Sequence, residues 1–139
     1  MRVRHTMTPD PITLPTGASL AEALDLMVRN EIRELPVLDG RRLVGIITER
    51  DLRALLGPGI KDADLSDVDE GLLQTQVDEV MSDEVQSISP DAGLGEAARL
   101  LADLRVGALP VVDERGRLVG ILSVTDVLAV AAPLFEQDE

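Results

Sequence analysis

Apolar residues recur at intervals of three and four at Leu20, Ala23, Leu24, Met27 and Val28, and the same spacing returns at Leu94, Ala97, Ala98 and Leu101. Each run predicts an amphipathic helix. Ser19, with Glu22 three residues on, reads as the start signal of the first. Two short apolar runs follow each helix: Leu35 to Leu38 and Leu43 to Ile47 in one half, Leu109 to Val112 and Leu118 to Leu122 in the other. The turn chemistry of Asp39 and Gly40 predicts that the first pair is a hairpin. A closing helix is expected from Thr48 to about Leu56 and again from Ser123 to about Leu134, with Pro133 distorting or ending the latter. Short extended stretches at Ile12 to Leu14, closed by Pro15, and at Ser87 and Ile88 precede the helices. The order β-α-β-β-α therefore occurs twice in an α/β (α+β) chain.

The two halves are also alike in letters. Leu35 to Ala54 and Leu109 to Ala129 agree at twelve of twenty positions once Gly116 is treated as an insertion. Residues 1–60 are expected to form the first repeat and 80–139 the second, with an acidic, solvated connection over 61–79. A calcium loop starting at Asp62 fails within that connection, because Asp67 stands where the sharp turn needs glycine and Leu73 where a bidentate Glu belongs.

Composition narrows the function classes. The 26 acidic residues against 13 basic ones give a formal charge of −13, which argues against nucleic acid or an anionic membrane as the main partner. There is no cysteine, hence no disulfide or thiolate metal site, and His5 is the single histidine, too few for a histidine metal site or a catalytic triad. The expectation is a protein that is not an enzyme and requires no cofactor. No apolar run approaches the roughly 18 residues of a membrane span. The opening MRVRHTMTPD breaks to Pro and Asp before any apolar stretch forms, so no signal peptide is read there and a cytoplasmic location is expected.

A hydroxyl residue followed three positions later by an acid is first of all a capping box. The pattern occurs five times, at Ser19/Glu22, Thr48/Asp51, Ser66/Asp69, Thr75/Asp78 and Ser123/Asp126. Only Thr48/Asp51 and Ser123/Asp126 follow a Leu-Val-Gly-Ile strand at the same place in each repeat. Gly45 and Gly120 inside those strands suggest that something approaches the backbone closely. A strand running into a helix start also presents N–H groups suited to an anion. A short carboxylate on the first turn is able to accept from two neighbouring hydroxyls, as on a ribose, and the nearby Ser or Thr to bond a phosphate. Capping alone and ligand binding both remain open on these residues.

The two Leu-Pro-Val segments with Asp39 and Asp113, the two Leu-Val-Gly-Ile strands, the Gly-x-x-[Ser/Thr]-x-x-Asp endings and the Met-Thr and Met-Ser openings resemble a tandem pair of CBS (cystathionine β-synthase-type) domains, a Bateman module. The resemblance covers almost the whole chain. It implies two repeats packed with pseudo-two-fold symmetry and a regulatory sensor that binds AMP, ADP or ATP in clefts between them, with S-adenosylmethionine the other candidate. It implies ribose binding by Asp51 and Asp126, and phosphate binding by Thr48 and Ser123. Arg33 and Arg50 stand where family members often contact phosphate, while the second repeat has Gly107 and Thr125, so unequal sites are expected. Base contacts are implied for Ile12, Ile32, Pro36, Val106 and Pro110. A homodimer is the implied assembly, with any regulated protein on another chain. The rival reading is a ligand-free dimerisation or docking module, for which the apolar positions Val127, Leu128, Val130 and Leu134 would suit a helical interface.

Overall fold

A computed structural model describes residues 1–57 and 68–139. In chain order its elements are β1 (Thr8–Pro9), β2 (Leu14–Pro15), α1 (Leu20–Asn30), β3 (Glu34–Asp39), β4 (Arg42–Thr48), α2 (Glu49–Leu56), α3 (Glu70–Leu73), α4 (Leu94–Leu104), β5 (Ala108–Val112), β6 (Leu118–Ser123) and α5 (Val124–Glu136). They fall into two compact units, Ile12–Val85 and Met1–Pro11 with Gln86–Glu139. None of these helices is long and apolar enough to cross a membrane.

The units share one plan. In Ile12–Val85, β3 lies between a parallel β2 and an antiparallel β4. Ser82 then bridges Ile46 on the outer edge of β4 through two backbone hydrogen bonds of 3.0 Å. In the other unit β5 and β6 form the hairpin, Ile88 bridges Val111 in parallel, and β1 lies antiparallel on the outer edge of β6. A strand edge with unpaired N–H and C=O groups must be covered. Here the cover is the short Met-hydroxyl segment that precedes the opposite repeat in sequence.

That exchange moves the expected boundaries. Met1–Pro11 belongs to the unit holding the second repeat, and the segment through Val85 to the unit holding the first. Val3 and Val77, at equivalent places ahead of the two repeats, are each wholly buried in those crossed-over cores. The expected solvated connection is correspondingly shorter. Residues 61–67, with most of the rejected calcium loop, lie outside the described residues. Beyond them α3 is capped by Asp69, whose carboxylate accepts from the Gly71 N–H at 2.7 Å, and Val77 is core.

The amphipathic faces pack as their spacing requires. Leu20, Ala23, Leu24 and Met27 of α1 are buried, as are Leu94, Ala97 and Leu101 of α4. Val28, expected on the same face, is 46% exposed. Each of the fully buried leucines, Leu20, Leu35, Leu52, Leu109 and Leu122, contributes roughly 1.5–3 kcal/mol by leaving water. Both helices stop on a left-handed residue, Glu31 at φ 54° and Arg105 at φ 55°, which turns the chain into the next strand. The first hairpin turns through Gly40 at φ 64°. In the second, Asp113 accepts from the N–H groups of Arg115 and Arg117 at 2.9 and 3.0 Å, and the inserted Gly116 takes φ 79°. Pro133 does not end α5, which continues to Glu136. The proline lies on an exposed stretch, where the carbonyl left without its helical donor remains within reach of water.

Candidate functional site

Thr48 and Ser123 terminate β4 and β6 in extended conformation and cap α2 and α5. The Thr48 hydroxyl accepts from the Asp51 N–H at 3.1 Å, and the Asp51 Oδ2 accepts from the Thr48 N–H at 3.0 Å. Ser123 and Asp126 repeat the exchange at 3.0 and 2.9 Å. The other hydroxyl–acid pairs differ. Ser19 accepts from the Glu22 N–H at 3.1 Å without a return bond, the 3-10 turn after Thr75 has no side-chain cap, and Ser66 lies outside the described residues.

Capping and ligand binding are compatible in this geometry. A hydroxyl that accepts an N–H retains its own proton for donation, and a carboxylate that spends one oxygen on a backbone N–H retains lone pairs on the other. The reciprocal bonds fix both side chains on their rotamers, so a carboxylate and a hydroxyl are presented together at one helix start in each unit. Both aspartates are half-buried.

The structure answers two expectations about these helix starts. The first-turn N–H groups are largely committed: Glu49 donates to the Arg33 carbonyl at 2.8 Å and Val124 to the Gly107 carbonyl at 2.9 Å, while Asp51 and Asp126 donate to their caps. An anion would therefore be met chiefly by side chains. The close approach at Gly45 and Gly120 is made by methionine. A Cβ on Gly45 would collide with the Met81 thioether, and one on Gly120 would stand 2.7 Å from the Met7 Sδ and 3.0 Å from the Thr8 carbonyl oxygen. These glycines seat the crossing segments.

The remaining residues singled out in the sequence are dispersed unequally. Ile32 and Arg33 line a cavity of about 280 Å³ with Leu24, Met27, Val28, Glu31 and Glu49. Arg33 is not a free cation there: its Nε lies 3.7 Å from Glu49 Oε2, and Glu49 also pairs with Arg53 through Oε1. Arg50 is exposed and pairs with no other described residue within 4.0 Å. Ile12 and Val106 are exposed at 39% and 38%. Pro36 and Pro110 are buried in β3 and β5.

Three contributors were not singled out in the sequence. Thr8 donates its hydroxyl to both Asp126 oxygens at 3.3 Å, and the repeated Met-hydroxyl opening was the available signal. Glu49, next to the cap, binds two arginines and has Val124 as its counterpart. Glu34 pairs with Thr48 across the hairpin, and burial pushes its carboxyl above the usual range; Ala108 stands opposite Ser123 instead.

A family model described as the CBS domain matches residues 3–57 and 77–132. A CBS domain-containing protein of Dictyostelium discoideum is 33% identical over 135 residues, covering 96% of this chain and 93% of its own length. The chain spans only 44% of a longer archaeal relative, an uncharacterized protein of Methanocaldococcus jannaschii that is 36% identical over 124 residues. Among solved structures, CBSX2 in complex with AMP, a CBS-pair protein from Arabidopsis thaliana, superposes with a TM-score of 0.80 at 30% identity, covering 96% of this chain and 97% of that one. The CBS domain pair of protein MJ0100, in complex with 5-methylthioadenosine and S-adenosyl-L-methionine, gives 0.73 at 25% identity over 94% and 98%.

Proposed function

Because this chain belongs to the CBS domain family, we propose that it is a regulatory module that binds an adenosine-containing ligand. Asp51 and Asp126 accept from ribose hydroxyls, and Thr48 and Ser123 donate their hydroxyls to the ligand's 5′ substituent. Arg50 adds positive charge when that substituent is a phosphate, while Ile12, Ile32 and Val106 offer apolar surface to the base. The observation that carries this reading is the pair of reciprocal caps, which holds carboxylate and hydroxyl side by side at the equivalent helix start of both units. The AMP complex of CBSX2 and the adenosyl ligands of MJ0100 support the ligand class.

A thermal-shift panel of AMP, ADP, ATP and S-adenosylmethionine tests this. A ligand at 100 times its Kd stabilises the native state by about 2.7 kcal/mol, a rise of several degrees in Tm for a domain of this size. Asp51→Ala and Asp126→Ala should each remove one binding event. No shift with any of the four, or shifts that neither variant alters, would overturn the reading.

A second reading, association through α5 without a ligand, is favoured by one observation. Leu128, Leu134 and Phe135 are exposed at 57%, 62% and 66%. Such side chains on one helix suit another copy of the chain.

A further inference from the structure

We propose that Glu49 is a specificity-determining residue that makes the Ile12–Val85 unit favour an adenosine ligand with a neutral or cationic 5′ substituent over a polyphosphate. The proposal rests on the ribose reading of Asp51 and goes beyond it by assigning the charge of the ligand's other end.

Glu49 is the first residue of α2, two positions before Asp51, and its backbone is tied to the Arg33 carbonyl at 2.8 Å. Its carboxylate is held from two sides, by Arg53 on Oε1 and by Arg33 at 3.7 Å from Oε2. The guanidinium that the sequence offers to a phosphate therefore stands beside a carboxylate with only a quarter of its surface exposed. Arg33 itself is 86% exposed, so the pair is weak and solvent-separable. Its partner carboxylate cannot leave, because the second guanidinium retains it.

The cavity that Ile32 and Arg33 line also has the carboxylates of Glu31 and Glu49 on its wall. A phosphate that draws on Arg33 competes with Glu49 for it and comes to lie near that carboxylate, which Arg53 still holds in place. Each further phosphate adds to that repulsion, whereas a hydroxyl or a sulfonium meets none of it. The other unit has no such device, since Val124 and Leu128 occupy the places of Glu49 and Arg53. Charge discrimination thus belongs to one unit by residue type.

The test is calorimetric titration of the full chain carrying Asp126→Ala, so that binding reports the Asp51 site, with adenosine, S-adenosylmethionine, AMP and ATP as probes. The expected order of affinity runs from S-adenosylmethionine and adenosine down to ATP. Glu49→Gln keeps the shape and removes the charge; it should raise ATP affinity about 5- to 10-fold and AMP affinity about 2- to 4-fold, with adenosine changed less than about twofold. Glu49→Val, which imports the residue of the other repeat, should act the same way and keeps the test decisive if the glutamine still binds Arg33. The gain should shrink in high salt. ATP as the tightest ligand of the unmodified site, or ATP affinity unmoved by both variants, would overturn the assignment of Glu49. Failure of neutral adenosine to bind, with Asp51→Ala silent toward every probe, would instead remove the ribose site and the Glu49 proposal with it.

Discussion

The two units share a strand plan and the same reciprocal cap, yet the residue types at equivalent positions beside the cap differ. Beside the Thr48–Asp51 cap stand Glu34, opposite Thr48 in the hairpin, and Glu49, paired with Arg33 and Arg53. At the equivalent places Asp126 has Ala108, Gly107, Val124 and Leu128, and it additionally receives the Thr8 hydroxyl. The repeated motif is thus the part needed to fold a helix start and present a carboxylate. The unrepeated part decides what each carboxylate meets. Duplication has kept the scaffold constant while the side chains beside the cap have diverged.

The largest effect separating the units concerns the glycine seats. Gly120→Ala should cost about 2–3 kcal/mol and Gly45→Ala about 1 kcal/mol, read by denaturant unfolding. At Gly120 the new methyl meets the Thr8 backbone carbonyl at 3.0 Å as well as Met7, whereas at Gly45 only the flexible Met81 side chain must move. Equal costs would mean that both edges yield alike. Next in size, Asp51→Ala and Asp126→Ala should each lower stability by about 1 kcal/mol through loss of the cap, and lower affinity of their own unit roughly ten- to a hundredfold. Smaller again, Thr8→Val should strengthen ribose binding at Asp126 about twofold by freeing its oxygens, with no effect at Asp51, because a hydroxyl at 3.3 Å is a weak competitor.

The smallest effect belongs to Glu34. Its carboxyl titrates above the usual value because burial disfavours the charged form. The folded state therefore holds a proton that the unfolded chain has already released, and stability falls as pH rises through the window just above 4.5. Glu34→Gln should raise stability slightly at pH 7 and leave it unchanged at pH 4, read by denaturant unfolding at the two pH values. Ala108 at the equivalent place leaves the other unit without this pH response.

Much of this was legible in the sequence because the repeat supplied two readings of every element. The helix periods at Leu20 and Leu94, both hairpins, the caps and the inequality at Arg33 and Gly107 all follow from local patterns. What was not legible depends on contacts between residues far apart in the chain. The crossing of Met1–Pro11 to the second repeat's unit pairs Thr8 with Ile121, and no local period encodes that pairing. The close approach read at Gly45 and Gly120 is present, and it is made by Met81 and Met7. Burial of Pro36 and Pro110 was hidden for the same reason, since strand position fixes a residue's face but not what covers it.

The central claim is that each unit presents its own ribose-gripping carboxylate. Isothermal titration of AMP and S-adenosylmethionine into the unmodified chain, Asp51→Ala and Asp126→Ala tests it most directly. The account predicts two unequal binding events per chain, with each variant losing a different one while its fold is retained. A single stoichiometry shared by all three proteins, or no heat with either ligand, would contradict it.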